Sequence, residues 1–298
     1  MAAVPTVVDR VVGASDGRTL AVQEGGDSEG RPVLVHGGSP NSRLLYPPDV
    51  ALAARQGIRL ISYDRPGYGG STPQPGRSVA DCVQDVRVIA AALDIERLAI
   101  IGGSGGGPHA LACGALLPDL VVAVAALASV APYGPPDLDY FDGMGELNIE
   151  DTRLLLEDPV AAREKCERDR EEMLLADADS LMEFLRTLLS PADTAVLTGE
   201  LVEFAVTSIR AGLAPGADGW WDDGVALLGS WGFDLDAIAV PVLLRHGRQD
   251  RFVPFVHGEW FARHIPGVEA LLTDDDGHLT LTARHLESIN AWLLSHFS

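Results

Sequence analysis

The chain has 298 residues, 47% of them hydrophobic and 22% charged, enough apolar side chain for a large core in one α/β domain with room for an insertion. Its net charge of −21 argues against nucleic acid as a partner. No run approaches the roughly 20 apolar residues of a membrane helix, and the N-terminal MAAVPTVVDR lacks the pattern of a secretory leader.

The elements alternate along the chain. Thr6–Val12 and Arg18–Gln23 flank Asp16-Gly17, a hairpin signal. Pro32–Val35 reads as a short buried strand, Pro48–Gln56 as a helix and Ile58–Tyr63 as a strand. Ser78–Leu93 is an amphipathic helix with Ser78 as N-cap, and Arg97–Ile101 is a strand. Gly106–Leu117 is a helix stopped by Pro118, and Val121–Ser129 is a further strand. After a long interruption come strand Val240–Arg245, helix Pro254–His264, strand Val268–Leu272 and helix Thr280–Phe297. Repetition of this kind implies a mostly parallel sheet covered by helices on both faces.

The interruption is electrically distinct. Between Pro132 and Asp236 there are 24 acids and 7 bases, whereas the rest of the chain has 19 acids and 15 bases. Four helices are expected within it: Asp151–Glu157, Pro159–Ala176, Ser180–Leu189 and Pro191–Ala211. The expected division is thus a core of residues 1–131 and 237–298, with a helical acidic cap at 132–236. Its acidity reads first as solvated helix faces, and second as a field that favours cationic substrates. Trp220, Trp221, Trp231 and Phe233 are candidates either for pocket walls or for pinning the cap to the core.

The chemistry is concentrated in short motifs. Gly102-Gly103-Ser104-Gly105-Gly106 is a Gly-x-Ser-x-Gly element between a predicted strand and a predicted helix. A serine there sits on a sharp turn whose neighbours two residues away must be small, and Gly102 and Gly106 meet that need. A dinucleotide fingerprint fails because Pro108 stands where the third glycine belongs, and a P-loop fails because Pro108-His109 replaces Lys-Ser/Thr. His36-Gly37-Gly38-Ser39-Pro40 follows the third strand and offers backbone N–H groups to a developing oxyanion. With Gly105 as one donor, the second is Gly38 or Ser39, and Gly38 is preferred.

The base and acid follow from chain order, which in this type of site runs nucleophile, acid, histidine. His278 alone among the eight histidines lies in a polar loop after the last strand. His36 precedes the nucleophile, His246 ends a strand, and His109, His257, His264, His285 and His296 lie in or beside helices. Asp250, just past the strand Val242–Arg245, is the acid that would fix the imidazole tautomer. Asp274, Asp275 and Asp276 are too close in sequence to face His278 and read as loop or cap residues. Asp64 reads as a turn former. Cys82, Cys113 and Cys166, at unrelated spacings, suggest neither a disulfide frame nor a zinc site.

HGGSP, YDRPGYGGS, GGSGG, HGRQD and DGH, in this order, resemble the α/β-hydrolase superfamily, capped branch, over nearly the whole chain. The resemblance implies an α/β-hydrolase fold with the helical cap between the sixth and seventh strands. It implies a Ser104–Asp250–His278 triad with Gly38 and Gly105 as oxyanion donors. Dehalogenase-like and epoxide hydrolase-like members carry Asp where Ser104 stands. Hydroxynitrile lyases often place a Lys by the active site, and the one Lys here, Lys165, falls in the cap. Proline iminopeptidase-like members share the HGG loop, but theirs typically continues Pro-Gly where Ser39-Pro40 stand, and their elbow typically has Trp after the serine, where Gly105 stands. The expectation is a cytoplasmic serine esterase for small or medium neutral substrates, needing neither cofactor nor metal, with a small molecule as its partner. The rivals are an aminopeptidase-like amide hydrolase and a non-hydrolytic ligand-binding relative; fold alone does not choose among them.

Overall fold

A computed structural model describes residues 7–297, and all counts below refer to these. The strands are β1 (Val8–Gly13), β2 (Thr19–Gly26), β3 (Arg31–His36), β4 (Ile58–Tyr63), β5 (Leu98–Gly103), β6 (Val121–Leu127), β7 (Val242–Gly247) and β8 (Glu269–Thr273). They form one sheet in the order β1-β2-β4-β3-β5-β6-β7-β8. β1–β2 and β2–β4 pair antiparallel, and every later pair is parallel. Asp16-Gly17 makes the first hairpin as expected, with Gly17 at φ +89°; Thr6, at the start of the expected strand, lies outside the described residues.

Side chains alternate across each strand, so adjacent residues enter opposite cores. Leu34, Leu98 and Ile100 pack with α2 (Cys82–Ala92) and α3 (Gly107–Leu116). Val33, Ala99 and Ile101 face the other layer, shared with α1 (Pro47–Arg55) and with Ile289 and Leu293 of the C-terminal helix. β6 is buried along its whole length, which explains why it reads as a continuous apolar run rather than an alternating one.

Between β6 and β7 lie six helices, not four. They are α4 (Glu146–Glu157), α5 (Pro159–Leu175), α6 (Ala178–Phe184), α7 (Pro191–Val196), α8 (Glu200–Leu213) and α9 (Asp218–Leu228). The expected Pro191–Ala211 helix breaks at Gly199, whose φ of +53° is not helical, so α7 and α8 are separate. α9 was not expected at all. Gly219 and Gly224 lie inside it, and each disfavours helix by about 1 kcal/mol in isolation. Gly219 is there for packing: a Cβ on it would come within 2.6 Å of Tyr68 Cδ2 and 2.7 Å of the Gly67 carbonyl carbon. The chain closes with α10 (Phe255–His264) and α11 (Thr280–Leu294), the latter three residues shorter than expected.

Tight docking of α9 makes a paired prediction. Gly219→Ala should destabilise by about 1–3 kcal/mol through overpacking. Gly216→Ala, where the nearest atom to a new Cβ is 4.0 Å away, should be neutral or slightly stabilising. Urea midpoints at constant m read the difference.

Candidate active site

β5 delivers Ser104 at the top of the sheet, and a short 3-10 turn over Ser104–Gly106 leads into α3. Ser104 has φ +54°, a left-handed backbone that costs a non-glycine residue roughly 1–3 kcal/mol and persists only where its surroundings enforce it. The enforcement is close packing. A Cβ on Gly106 would overlap the carbonyl oxygens of His36 and Gly37, and one on Gly102 would meet Ala110 Cβ at 2.6 Å. The two glycines picked out by sequence are therefore the ones that let β3, β5 and α3 converge.

The same convergence brings the HGGS loop onto the serine. A Cβ position on Gly38 lies 3.3 Å from Ser104 Cβ and 3.7 Å from its Oγ, and one on Gly105 lies 3.8 Å from Ser39 N. Gly38, Ser39, Ser104 and Gly105 thus form one cluster. His109 Nδ1 donates to the Gly105 carbonyl at 2.9 Å, which identifies this histidine as a packing residue. Burial pulls its pKa down to about 3.

Asp250 is buried just beyond β7. Its Oδ2 accepts from His278 Nδ1 at 2.7 Å, while Oδ1 accepts from the N–H groups of Phe252 and Val253, each at 2.9 Å. Phe252 stacks on the imidazole, ring centroids 4.6 Å apart. A further carboxylate, unforeseen from sequence, holds the histidine loop: Asp193 of α7 accepts from His278 N at 3.1 Å and Leu279 N at 2.7 Å. Burial lowers the His278 pKa, but Asp250 and then Asp193 outweigh it and leave it above the ordinary 6.5. Among the described residues no hydrogen bond joins His278 to Ser104.

The competing residues have other work. Asp64 accepts from Arg43 N at 2.6 Å and Gly70 N at 2.8 Å, closing a turn. Asp276 takes Thr273 Oγ1 and His285 Nε2, and Asp274 pairs with Arg248. His246 is buried, donating to the Val253 carbonyl.

Ser104 opens into a cavity of about 280 Å³. Its walls come largely from the insert, among them Leu147, Leu155, Leu185, Trp220 and Trp221, with Phe252 from the core side. Trp231 instead packs into the main core and stacks with Phe233, so the aromatic residues divide between walls and pins. Lys165 needs correcting: it does fall in the insert, yet it lines this cavity, held by Asp151 at 2.8 Å and Asp169 at 2.5 Å.

A second unforeseen group sits against the HGGS loop. Asp223 of α9, with no solvent exposure, accepts from Arg65 Nη2 (2.6 Å), Ser39 Oγ (2.9 Å) and Tyr68 Oη (3.0 Å), and pairs with Arg77 Nη1 at 2.8 Å. Burial pushes this carboxyl up, but the two guanidiniums prevail and hold it far below the usual range. Arg65 and Tyr68 lie in the YDRPGYGGS motif, but nothing in their spacing pointed to a partner more than 150 residues away.

The fold also joins side chains whose spacing looked unrelated. Cys82 and Cys113 are 3.9 Å apart at sulfur, and His36 Nε2 lies 3.8 Å from Cys113. These three are the one potential metal-ligand group among the described residues. All three are buried, Cys82 and Cys113 within the main core, and burial pushes the Cys82 thiol well up.

Comparison with known proteins agrees with the α/β fold. A family described as alpha/beta hydrolase fold matches residues 31–282, and the chain belongs to that family of hydrolases. It is 28% identical over 287 residues to the AB hydrolase superfamily protein YisY of Bacillus subtilis, covering 94% of this chain and 95% of the other. A bromoperoxidase structure from Bacillus anthracis aligns with a TM-score of 0.71 at 21% identity, covering 97% of this chain and 99% of that one. An esterase from Exiguobacterium antarcticum matches with the same score, identity and coverage. Among the described residues no helix is long and apolar enough to cross a membrane.

The electrostatics of His278 can be checked directly. By imidazole NMR it should titrate above 6.5. Asp250→Asn should lower that value most and Asp193→Asn by a smaller amount, because each removes an anion that favours the imidazolium.

Proposed function

We propose that the protein hydrolyses small or medium neutral carboxylic esters through an acyl-enzyme. Ser104 is the nucleophile, His278 the general base and Asp250 the orienting acid; the N–H groups of Gly38 and Gly105 form the oxyanion hole. The observation that carries this reading is that Ser104, held in a strained left-handed backbone, opens into an apolar cavity whose wall residue Phe252 stacks on the Asp250-bound imidazole.

Asp250 takes the Nδ1 proton of His278 into its hydrogen bond and so leaves Nε2 as the basic nitrogen. Ser104 Oγ attacks the acyl carbon as its proton passes to Nε2. The carbonyl oxygen becomes an oxyanion, met by two pre-aimed N–H groups that cost no reorganisation. Collapse breaks the ester C–O bond, and the imidazolium protonates the leaving alkoxide. Water, deprotonated by the same histidine, then attacks the acyl-enzyme, releasing the carboxylic acid and restoring Ser104.

The insert acts as a cap that sets the substrate class. Its aliphatic and aromatic walls suit an acyl or alcohol chain of medium length. The charges that do reach the cavity are engaged with one another: Lys165 is shared by Asp151 and Asp169, and burial raises the Asp151 carboxyl against the pull of Lys165. An aminopeptidase would need a free cap carboxylate for the substrate's ammonium, and these two are poorly suited to it.

A p-nitrophenyl acyl-ester series measured beside prolyl p-nitroanilide tests the reading. Medium acyl chains should be preferred over acetate and palmitate, and Ser104→Ala should lose at least about 10³-fold in turnover. Prolyl-amide turnover abolished by the same substitution would overturn the esterase assignment in favour of a peptidase.

A further inference from the structure

The Gly37-Gly38-Ser39 loop, which lends the proposed oxyanion hole its Gly38 N–H, has a physical difficulty. Glycine backbones have wide conformational freedom, and here the peptide plane that carries the Gly38 N–H must be held towards the nucleophile. In a trans peptide the C=O and the following N–H point in opposite directions. Whatever holds the Gly37 and Gly38 carbonyls from behind therefore aims the Gly38 and Ser39 N–H groups to the front.

Arg65 holds those two carbonyls. Its Nη1 donates to the Gly37 carbonyl at 2.7 Å and its Nη2 to the Gly38 carbonyl at 2.8 Å. Ser104 and Gly105 pack against the same loop, in the contacts given above, and Gly106 lies against the Gly37 carbonyl. The guanidinium is a rigid planar fork, so its aim is set by whatever grips its remaining donors. That is Asp223, which accepts from Nε at 3.2 Å and Nη2 at 2.6 Å and also binds the loop itself through Ser39 Oγ. Bonds from a charged donor are stronger than neutral ones, and bonds in a chain polarise one another, so the same contacts sharpen the N–H groups as donors.

We propose that Arg65 and Asp223 are a positioning couple for the oxyanion hole, through which docking of the insert completes the anion-binding half of the site. Arg65 comes from the core and Asp223 from α9 of the insert, so neither part presets the loop alone. The proposal rests on the esterase reading for its kinetic consequences, though not for its structural ones.

The test uses the full-length protein. Asp223→Asn keeps the shape and removes the charge; Arg65→Lys keeps the charge but has no fork to span two carbonyls. Both should lower kcat by about 10²-fold, the effect of losing one oxyanion donor, with KM within about threefold. The inhibition constant of an alkyl trifluoromethyl ketone, whose serine adduct carries an oxyanion, should rise in step with the loss. The acid limb of the pH profile, set by His278, should stay put. By mass spectrometry, hydrogen exchange should speed up in the peptide containing Gly37–Ser39. Folded variants that keep kcat within about threefold, or whose exchange rises across the whole insert and not in the loop, overturn the proposal. If the parent hydrolyses no ester, the esterase reading fails, and exchange decides the couple alone: selective acceleration at the loop supports it, and an unchanged loop refutes it.

Discussion

A carboxylate shut away from solvent survives only if other groups replace its lost water, and Asp223 is such a carboxylate. Its oxygens are met by Arg65, Arg77, Tyr68 and Ser39, all from the core, while Asp223 itself is on the insert. Breaking such a buried pair costs about 3–5 kcal/mol because an uncompensated charge remains. The docking of α9, the turn at Arg65–Tyr68 and the conformation of the HGGS loop are consequently one structural event.

The His278 loop is held in a parallel way. Asp193, buried on α7, receives the backbone N–H groups of His278 and Leu279, and Gly277 is glycine because the Asp193 carboxylate fills the space a Cβ would need. One insert carboxylate thus grips each of the two loops that converge on Ser104. The insert contributes to the order of the site as well as to the walls of its cavity.

This gives the acidity of residues 132–236 two separate meanings. Glu164, Glu171, Glu172, Asp177 and Asp179 are exposed, the solvated faces suggested by their helical spacing. Asp193 and Asp223 are buried and structural. Asp151 and Asp169 stand at the cavity but are tied to Lys165. A net charge summed along a segment does not separate these environments, since burial and partner decide what each carboxylate does.

The sequence by itself determined the alternating α/β order, the strand–Ser104–helix turn, the glycines that permit it, and the two loops that bear Asp250 and His278. These are legible because they depend on local rules: apolar period, backbone sterics, and residue type at a strand end. α9 was not legible, because Gly219 and Gly224 serve a tertiary contact at the expense of helix propensity. Nor were Phe252 against His278, Asp193 under the histidine loop, Lys165 in the cavity wall, or Asp223 against the HGGS loop. Each is a pairing between distant segments, specified by shape and by the need to compensate buried charge, and such a pairing leaves no period or spacing in the chain. Only the tertiary structure decided them, because only the packed interior makes an unpaired charge or an ill-fitting ring costly.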